Sequence, residues 1–286
     1  MELRQLQCFL AVVDEGTFTA AAVRLHVVQS AVSSTIKALE RSLGVALFER
    51  GRRPMLTDAG RRLLPPARQM VELAATTREA VRTELSGELR VGVLMAVPMD
   101  LPRLLSRYRA AHPRVHVRMR AMPRGSADLV EALRSGMLDV AFVSVPGVID
   151  PSLTLTPIVR EPLVLLLPPD HPLASSEEPL SLADLAGETW IDAPEGYGNR
   201  TVVDAAFARA GLSREVALEV PDANTIPGLV AAGLGIGFLP PGIPVPPTVH
   251  TPQLATDDLY WPMYLATTVD RRDRPSVKAF TDLFNE

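Results

Sequence analysis

Residues 17–43 constrain the fold of this chain more than any other stretch, because they encode two short helices with only a tight turn between them. Phe18, Ala21, Ala22 and Leu25 recur at helical spacing, with Thr17 or Thr19 placed to cap the first amide groups. Val32, Ile36, Leu39 and Leu43 form a second apolar stripe, closed by Gly44. Helices that cross steeply need small residues at the contact, and Ala21-Ala22 supplies them. An earlier stripe of Leu6, Phe9, Leu10 and Val13 ends at Gly16. Three short amphipathic helices are thus predicted to bury one another, the last two as a helix-turn-helix.

The outer face of the third helix points to nucleic acid. Gln29, Ser30, Ser33, Ser34 and Lys37 cluster toward its leading half, where a recognition helix meets base edges in the major groove. Gln pairs bidentately with adenine, Ser adapts to either partner, and Lys favours guanine or phosphate. Thr17 and Thr19, at the leading end of the second helix, join this DNA-facing set. After it, Leu47, Phe48 and Leu56 are spaced to anchor a two-stranded wing, with Arg50, Arg52 and Arg53 at its tip. Arginines there suit the phosphate backbone or the minor groove.

Residues 1–65 resemble the N-terminal domain of LysR-type transcriptional regulators. The matching stretches include Leu3-Arg-Gln-Leu6, Phe9-Leu-Ala-Val-Val13, Gly16-Thr-Phe-Thr19, Gln29-Ser-Ala-Val-Ser33, Leu39-Glu40, Leu43-Gly-Val45, Leu47-Phe-Glu-Arg50 and Ala59-Gly60. The resemblance implies a winged helix-turn-helix that binds an interrupted dyad as part of an oligomer. Three positions depart from the family's habit. Ala20 stands where Arg is common, Ser34 where a basic or polar residue is frequent, and Val28 where Ser, Thr or Ala often precedes the recognition helix. A missing polar cap at Val28 costs about 0.5–2 kcal/mol at most, so operator sequence and affinity are affected rather than the class.

Residues 58–86 read as a rod. Ala67, Met70, Ala74, Thr77 and Val81 alternate spacings of three and four, a short heptad seam suited to pairing with a second copy. Pro65-Pro66 predicts a helix boundary or kink. Arg61, Arg62 and Arg68 are within reach of DNA, although the solvated surface of the rod is the favoured role for them.

Beyond Gly87 the pattern changes to strand, helix, strand, helix, strand, which implies a parallel sheet with right-handed crossovers. The strands expected first are 89–94, 115–119 and 136–143, with helices at 101–111 and 128–135. A second unit of the same kind starts near Leu163, and 260–269 with 275–284 is expected to return to the first. Two such lobes resemble periplasmic solute-binding proteins and the effector domain of the same LysR-type family, through Leu138-Asp-Val-Ala141 and Leu229-Val-Ala-Ala-Gly-Leu-Gly-Ile-Gly-Phe-Leu-Pro240. Ligands in such folds bind at strand C-termini and helix N-termini. That rule selects Val97, Pro98, Met99, Ser126, Ser144, Val145, Asn199 and Thr225 as effector-binding residues. Ser126, Asn199 and Thr225 are placed to donate to a carboxylate, with Arg200 as a nearby charge. The loop Ala96-Val-Pro-Met99 lacks the Ser or Thr common there in the family, which favours an apolar or aromatic effector over a small dicarboxylate.

The expected architecture is α/β overall. An all-α winged helix-turn-helix occupies 1–58, a linker and dimerisation helix 59–87, and a two-lobed, periplasmic-binding-protein-like effector domain 88–286. Lobe I covers about 88–160 and 266–286, and lobe II about 161–265. The net charge of −4 is unusual for a DNA binder, but its distribution is uneven. Residues 1–58 carry 7 Lys and Arg against 6 Asp and Glu, while residues 89–286 carry 17 against 23. Cys8 is the single cysteine. It excludes an intramolecular disulfide, suits a reducing cytosol and falls on an apolar face as a small buried hydrophobe. No signal peptide or membrane span is read, so a cytoplasmic location is expected.

An enzyme is disfavoured, because the five histidines lack metal-ligand spacing and no nucleophile or phosphate-loop motif is present. A plain solute-binding protein, the main alternative, leaves residues 1–57 unexplained. The expected partners are double-stranded operator DNA, a small-molecule effector, and further copies of the chain as a homodimer or homotetramer. RNA polymerase is a further partner open to a regulator, and neither a cofactor nor a metal is expected.

Overall fold

A computed structural model describes residues 1–49, 54–80, 85–94, 99–147, 150–256 and 259–284. Arg50, Arg52, Arg53, Val81, Val97 and Pro98 lie outside the described residues. The chain divides into two compact units, Met1–Leu85 with Ser135–Met137, and Ser86–Arg134 with Leu138–Glu286.

The first unit holds α1 (Leu3–Glu15), α2 (Phe18–Arg24), α3 (Gln29–Leu43) and α4 (Asp58–Ala80). Leu6, Phe9, Val12, Ala21, Val32 and Leu39 have no exposed surface, so the three apolar stripes do face one another. Cys8 is buried among them, and burial pushes its thiol above the ordinary value. Thr17 caps α2, its hydroxyl oxygen accepting from the Ala20 amide at 3.1 Å. Gly16 and Gly44 end α1 and α3 in the left-handed conformation. Leu43 departs from expectation and stands 36% exposed. The chain leaves α3 at Gly44, and Leu47 and Phe48 close that end of the core instead.

The root of the wing follows the sequence reading. Phe48 bridges Leu56 in antiparallel fashion, and the Glu49 amide donates to the Met55 carbonyl at 2.7 Å. The Phe48 ring lies 5.5 Å from Phe9 and 5.7 Å from Phe18 between centroids. Glu40 on α3 holds this root in place, since its Oε1 accepts from the Leu47 amide at 2.8 Å and the Phe48 amide at 3.4 Å.

Helix α4 corrects two expectations about the rod. It runs from Asp58 to Ala80 with Pro65 and Pro66 inside it, so no boundary falls there. The amides these prolines lack would have served the carbonyls of Arg61 and Arg62, and both residues are exposed. The expected seam also changes. Ala67 is 1% exposed and belongs to the core of its own unit, whereas Met70 and Leu73 are exposed. The apolar face that α4 leaves outward is therefore Met70 and Leu73, not a stripe through Ala67.

Arg68 is not rod surface. It is 5% exposed and pairs with Asp14 of α1, which also accepts from Arg24 Nη1 of α2 at 3.1 Å. One carboxylate thus ties three helices. Burial by itself would raise the Asp14 carboxyl, but Arg68 and Arg24 outweigh it and hold the group below its ordinary value.

The second unit is built on a five-stranded sheet in the order β2-β1-β3-β9-β4. Its strands are β1 (Gly87–Gly92), β2 (Val115–Arg120), β3 (Val140–Val143), β4 (Leu153–Pro162) and β9 (Tyr260–Thr268). β1 runs parallel to β2 and β3, as the crossover pattern predicted, and β9 runs antiparallel to β3 and β4. β3 starts at Val140 rather than 136, because Gly136 carries a positive φ and Asp139 turns inward to Arg90 and Arg274. β4 was not anticipated; Pro157 interrupts its alternation and coincides with a bulge in the ladder. A lobe boundary at 265 would fall inside β9, which pairs with β4 along its length.

Helices α5 (Leu101–Ala111), α6 (Gly125–Arg134) and α9 (Pro275–Thr281) belong with this sheet. Tyr108 of α5 donates to the Ser276 carbonyl at 2.9 Å, so the last helix returns to the first lobe as expected. The second lobe contains β5 (Val164–Leu166), β6 (Thr189–Asp192), β7 (Glu215–Glu219), β8 (Gly237–Leu239), α7 (Gly198–Arg209) and α8 (Ile226–Ala231). Its core centres on Trp190, stacked on Phe238 at 5.3 Å and edge-on to Phe207 at 5.4 Å.

The Asp14 clamp makes a testable demand. A carboxyl held below 3.8 contributes stability that is present in full above that value and is lost as the pH falls through the lower, folded value. Arg68→Ala is expected to destabilise the first unit by about 3 kcal/mol. It should also flatten the loss of stability in urea unfolding below about pH 4. Identical acid limbs in the two proteins would contradict the clamp.

Candidate nucleic-acid interface and effector cleft

Helix α3 buries one face and offers the other. Gln29, Ser30, Ser34 and Lys37 are exposed, and Ser33 is half-buried. Val28 precedes the helix in extended conformation and offers no side-chain cap, while its carbonyl accepts from the Ala31 amide at 3.0 Å. The Ser34 hydroxyl donates to the Ala31 carbonyl at 3.0 Å, which turns this side chain along its own helix. Thr17 and Thr19 are exposed at the start of α2, although the Thr17 hydroxyl oxygen is engaged as a cap. Lys37 and Arg41 sit on the side of α3 toward Val45 and Ala46, around a shallow depression. Glu40 escaped the list of sequence candidates. Its signal was a lone carboxylate four residues ahead of Gly44 and next to the buried Leu39.

The eight effector candidates separate into groups. Ser126, second residue of α6, is buried and its hydroxyl oxygen accepts from the Ser144 amide at 2.9 Å. Ser144, just after β3, is buried and its own hydroxyl has no hydrogen-bond partner among the described residues. Val145 beside it is half-buried. Asn199 is buried but turns to Asp192, donating from Nδ2 to Oδ1 at 3.4 Å. Burial pushes the Asp192 carboxyl above its ordinary value despite the Arg214 guanidinium at 2.6 Å. Arg200, the suggested nearby charge, is paired with Asp204 at 2.7 Å and with Glu219 at 3.3 Å. Met99 is half-buried ahead of α5, and Thr225 is exposed in the short turn before α8.

Two loops meet closely here. The Ala127 amide of α6 donates to the Gly196 carbonyl at 3.2 Å, and the Tyr197 hydroxyl donates to the Pro123 carbonyl at 3.3 Å. A Cβ on Gly198 would stand 2.3 Å from Ser144 Cβ and Oγ, so only glycine lets α7 begin there. The Tyr197 ring covers Gly125, which has φ +52°. Beside this contact lies a cleft of about 420 Å³. Val93 and Leu94 line it from the end of β1, and Ala121, Met122, Pro123 and Gly125 from the approach to α6. Tyr197, Pro221 and Asp222 complete the lining. The loops are those chosen from strand and helix ends; the six described candidates do not line this cleft, and Val97 and Pro98 lie outside the described residues. Pro221 and Asp222 stand at a strand end as well, just after β7.

A winged helix-turn-helix and, as a separate unit, a two-lobed α/β fold with a cleft at its strand ends together define a ligand-responsive DNA-binding protein. Residues 3–61 match the model for the bacterial regulatory helix-turn-helix protein, lysR family, and residues 82–286 match the LysR substrate binding domain. The chain belongs to the LysR family: it is a DNA-binding transcriptional regulator with an effector-binding domain. The members of this family bind operator DNA and small-molecule effectors and act as oligomers.

Among relatives, the HTH-type transcriptional regulator ShiR of Corynebacterium glutamicum is 36% identical over 262 residues, which is 88% of each chain. The uncharacterized HTH-type transcriptional regulator YnfL of Escherichia coli is 36% identical over 248 residues, 84% of this chain and 82% of its own. Full-length CbnR, solved with its target DNA, is 28% identical with a TM-score of 0.63, covering 100% of this chain and 99% of that one. A full-length OxyR variant from Pseudomonas aeruginosa shares the fold, with a TM-score of 0.77 at 23% identity and coverage of 99% and 97%. Among the described residues no single helix is long and apolar enough to cross a membrane.

The tight contact at Gly198 yields a prediction. Gly198→Ala is expected to displace the start of α7 and destabilise the second unit by about 1–3 kcal/mol. Gly187→Ala, where a Cβ meets nothing within 4 Å, should be neutral. Equal thermal midpoints for the two variants would contradict the contact.

Proposed function

We propose that the regulator reads its operator through Gln29, Ser30, Ser33, Ser34 and Lys37 of α3. Thr17 and Thr19 lie at the edge of that surface, and Arg50, Arg52 and Arg53 reach the backbone or minor groove. The carrying observation is that α3 exposes this polar cluster directly opposite fully buried Val32 and Leu39. Such a helix has a fixed depth and a free reading edge. Residues 1–58 act as the reading head, 59–87 as the pairing helix, and 88–286 as the sensor. The exposed Met70 and Leu73 support pairing through α4. An effector enters at the cleft beside Tyr197, next to the Ser126–Ser144 pair. It regulates DNA binding by favouring one arrangement of paired heads, which requires unequal affinity for the two states. The protein works in the cytoplasm and catalyses no reaction.

Selection of genomic DNA fragments by the purified chain tests this reading. Wild type is expected to enrich one dyad. Gln29→Ala should relax the preference at one base position, worth about 1–3 kcal/mol, while Lys37→Ala should weaken all fragments evenly and lower the salt slope by about one. A dyad selected identically by both variants would overturn the assignment of α3.

A further inference from the structure

The electrostatics of the cleft restrict what it holds. Its walls are apolar, from Val93 and Leu94 to Met122 and Pro221, and its one ionised side chain among the described residues is Asp222. The start of α6, where a helix would ordinarily receive an anion, carries a carboxylate of its own and has two of its leading amides taken by protein carbonyls. Asp128 sits in its first turn and accepts from the Arg124 amide at 3.1 Å and from Arg124 Nε at 2.8 Å. The Ala127 amide is taken by the Gly196 carbonyl, and the Gly125 amide by the Met122 carbonyl at 3.2 Å. Arg124, just ahead of α6, is matched by Asp128. Among the described lining residues a ligand carboxylate would find no cation, and it would face a like charge at Asp222.

Asp222 itself is held in a set orientation. Its Oδ1 accepts from the Asn224 amide at 3.0 Å and from Asn224 Nδ2 at 2.9 Å, which leaves Oδ2 for a ligand. A volume of about 420 Å³ is that of a small organic molecule.

We propose that this cleft takes a small, largely apolar molecule bearing a protonated amine, received by Asp222 against the apolar walls, and that it rejects carboxylates. The inference deepens the effector reading above and rests on it.

The test is calorimetric titration of the full chain with hexylamine, benzylamine and phenethylamine, against hexanoate, benzoate and phenylacetate. Saturable binding of at least one amine, tenfold or more tighter than its matched acid, is expected. Asp222→Asn keeps an acceptor for the Asn224 amide, so it retains the turn while removing the charge. It should weaken the amine by about tenfold or more. Met122→Trp, which fills the cleft, should abolish binding, and thermal unfolding confirms that both variants are folded. Binding of an acid as tightly as its amine, no saturable amine in the panel, or an amine indifferent to Asp222→Asn would each overturn the proposal. Amine binding that depends on Asp222 but leaves operator footprints unchanged would uphold the ligand class and overturn the regulatory reading of the cleft.

Discussion

The buried carboxylate of Asp14 is the interaction on which the reading head depends. Four helices and a wing make a small core, and small cores have little apolar area to fix angles between elements. Asp14 supplies direction that apolar packing lacks. It receives Arg24 from α2 and Arg68 from α4, so the helix preceding the recognition helix and the linker helix share one anchor on α1. Glu40 does the same for α3 and the wing through two amides. Both clamps place a carboxylate where burial is costly unless every partner is present. They set the recognition helix and the wing root in a fixed relation, which is what reading a groove requires.

The second unit solves a different problem, closing a cleft without a large interface. The contact rests on backbone approach at Gly196, Tyr197 and Gly198 against α6 and Ser144. Side chains would hold the loops apart. The long strands β4 and β9 carry the chain along one ladder beside this contact. Ser144 contributes a buried hydroxyl at the same place, with no partner among the described residues. A ligand that separates or tightens these loops therefore acts on a few close contacts rather than on a broad apolar surface.

Much of this was legible in the residues. The first unit followed from stripes of period 3.6, from Gly16 and Gly44, and from Ala21-Ala22, because local periodicity and caps decide short helices. Leu43 and Ala67 were misjudged because an apolar residue at the right spacing does not reveal which neighbour covers it. Arg68 was misjudged because its partner lies 54 residues away. Pro65 and Pro66 do not end α4, which runs on to Ala80, because they fall where the preceding turn, Arg61 and Arg62, is exposed. β4 was hidden by Pro157, which disrupts the alternation a strand normally shows. In the cleft, the choice of loops followed from general rules of strand and helix ends. The orientation of individual side chains did not, since Asn199 turns to Asp192 and the Ser126 hydroxyl oxygen accepts from the Ser144 amide, contacts that spacing cannot express.

The central claim is that one face of α3 enters the major groove. Methylation protection on an enriched fragment tests it most directly, because guanine N7 lies in that groove. The account predicts two protected clusters separated by a whole number of helical turns, with protection in each weakened by Gln29→Ala. Protection absent from guanine N7, or unchanged when the α3 face is altered, would contradict it.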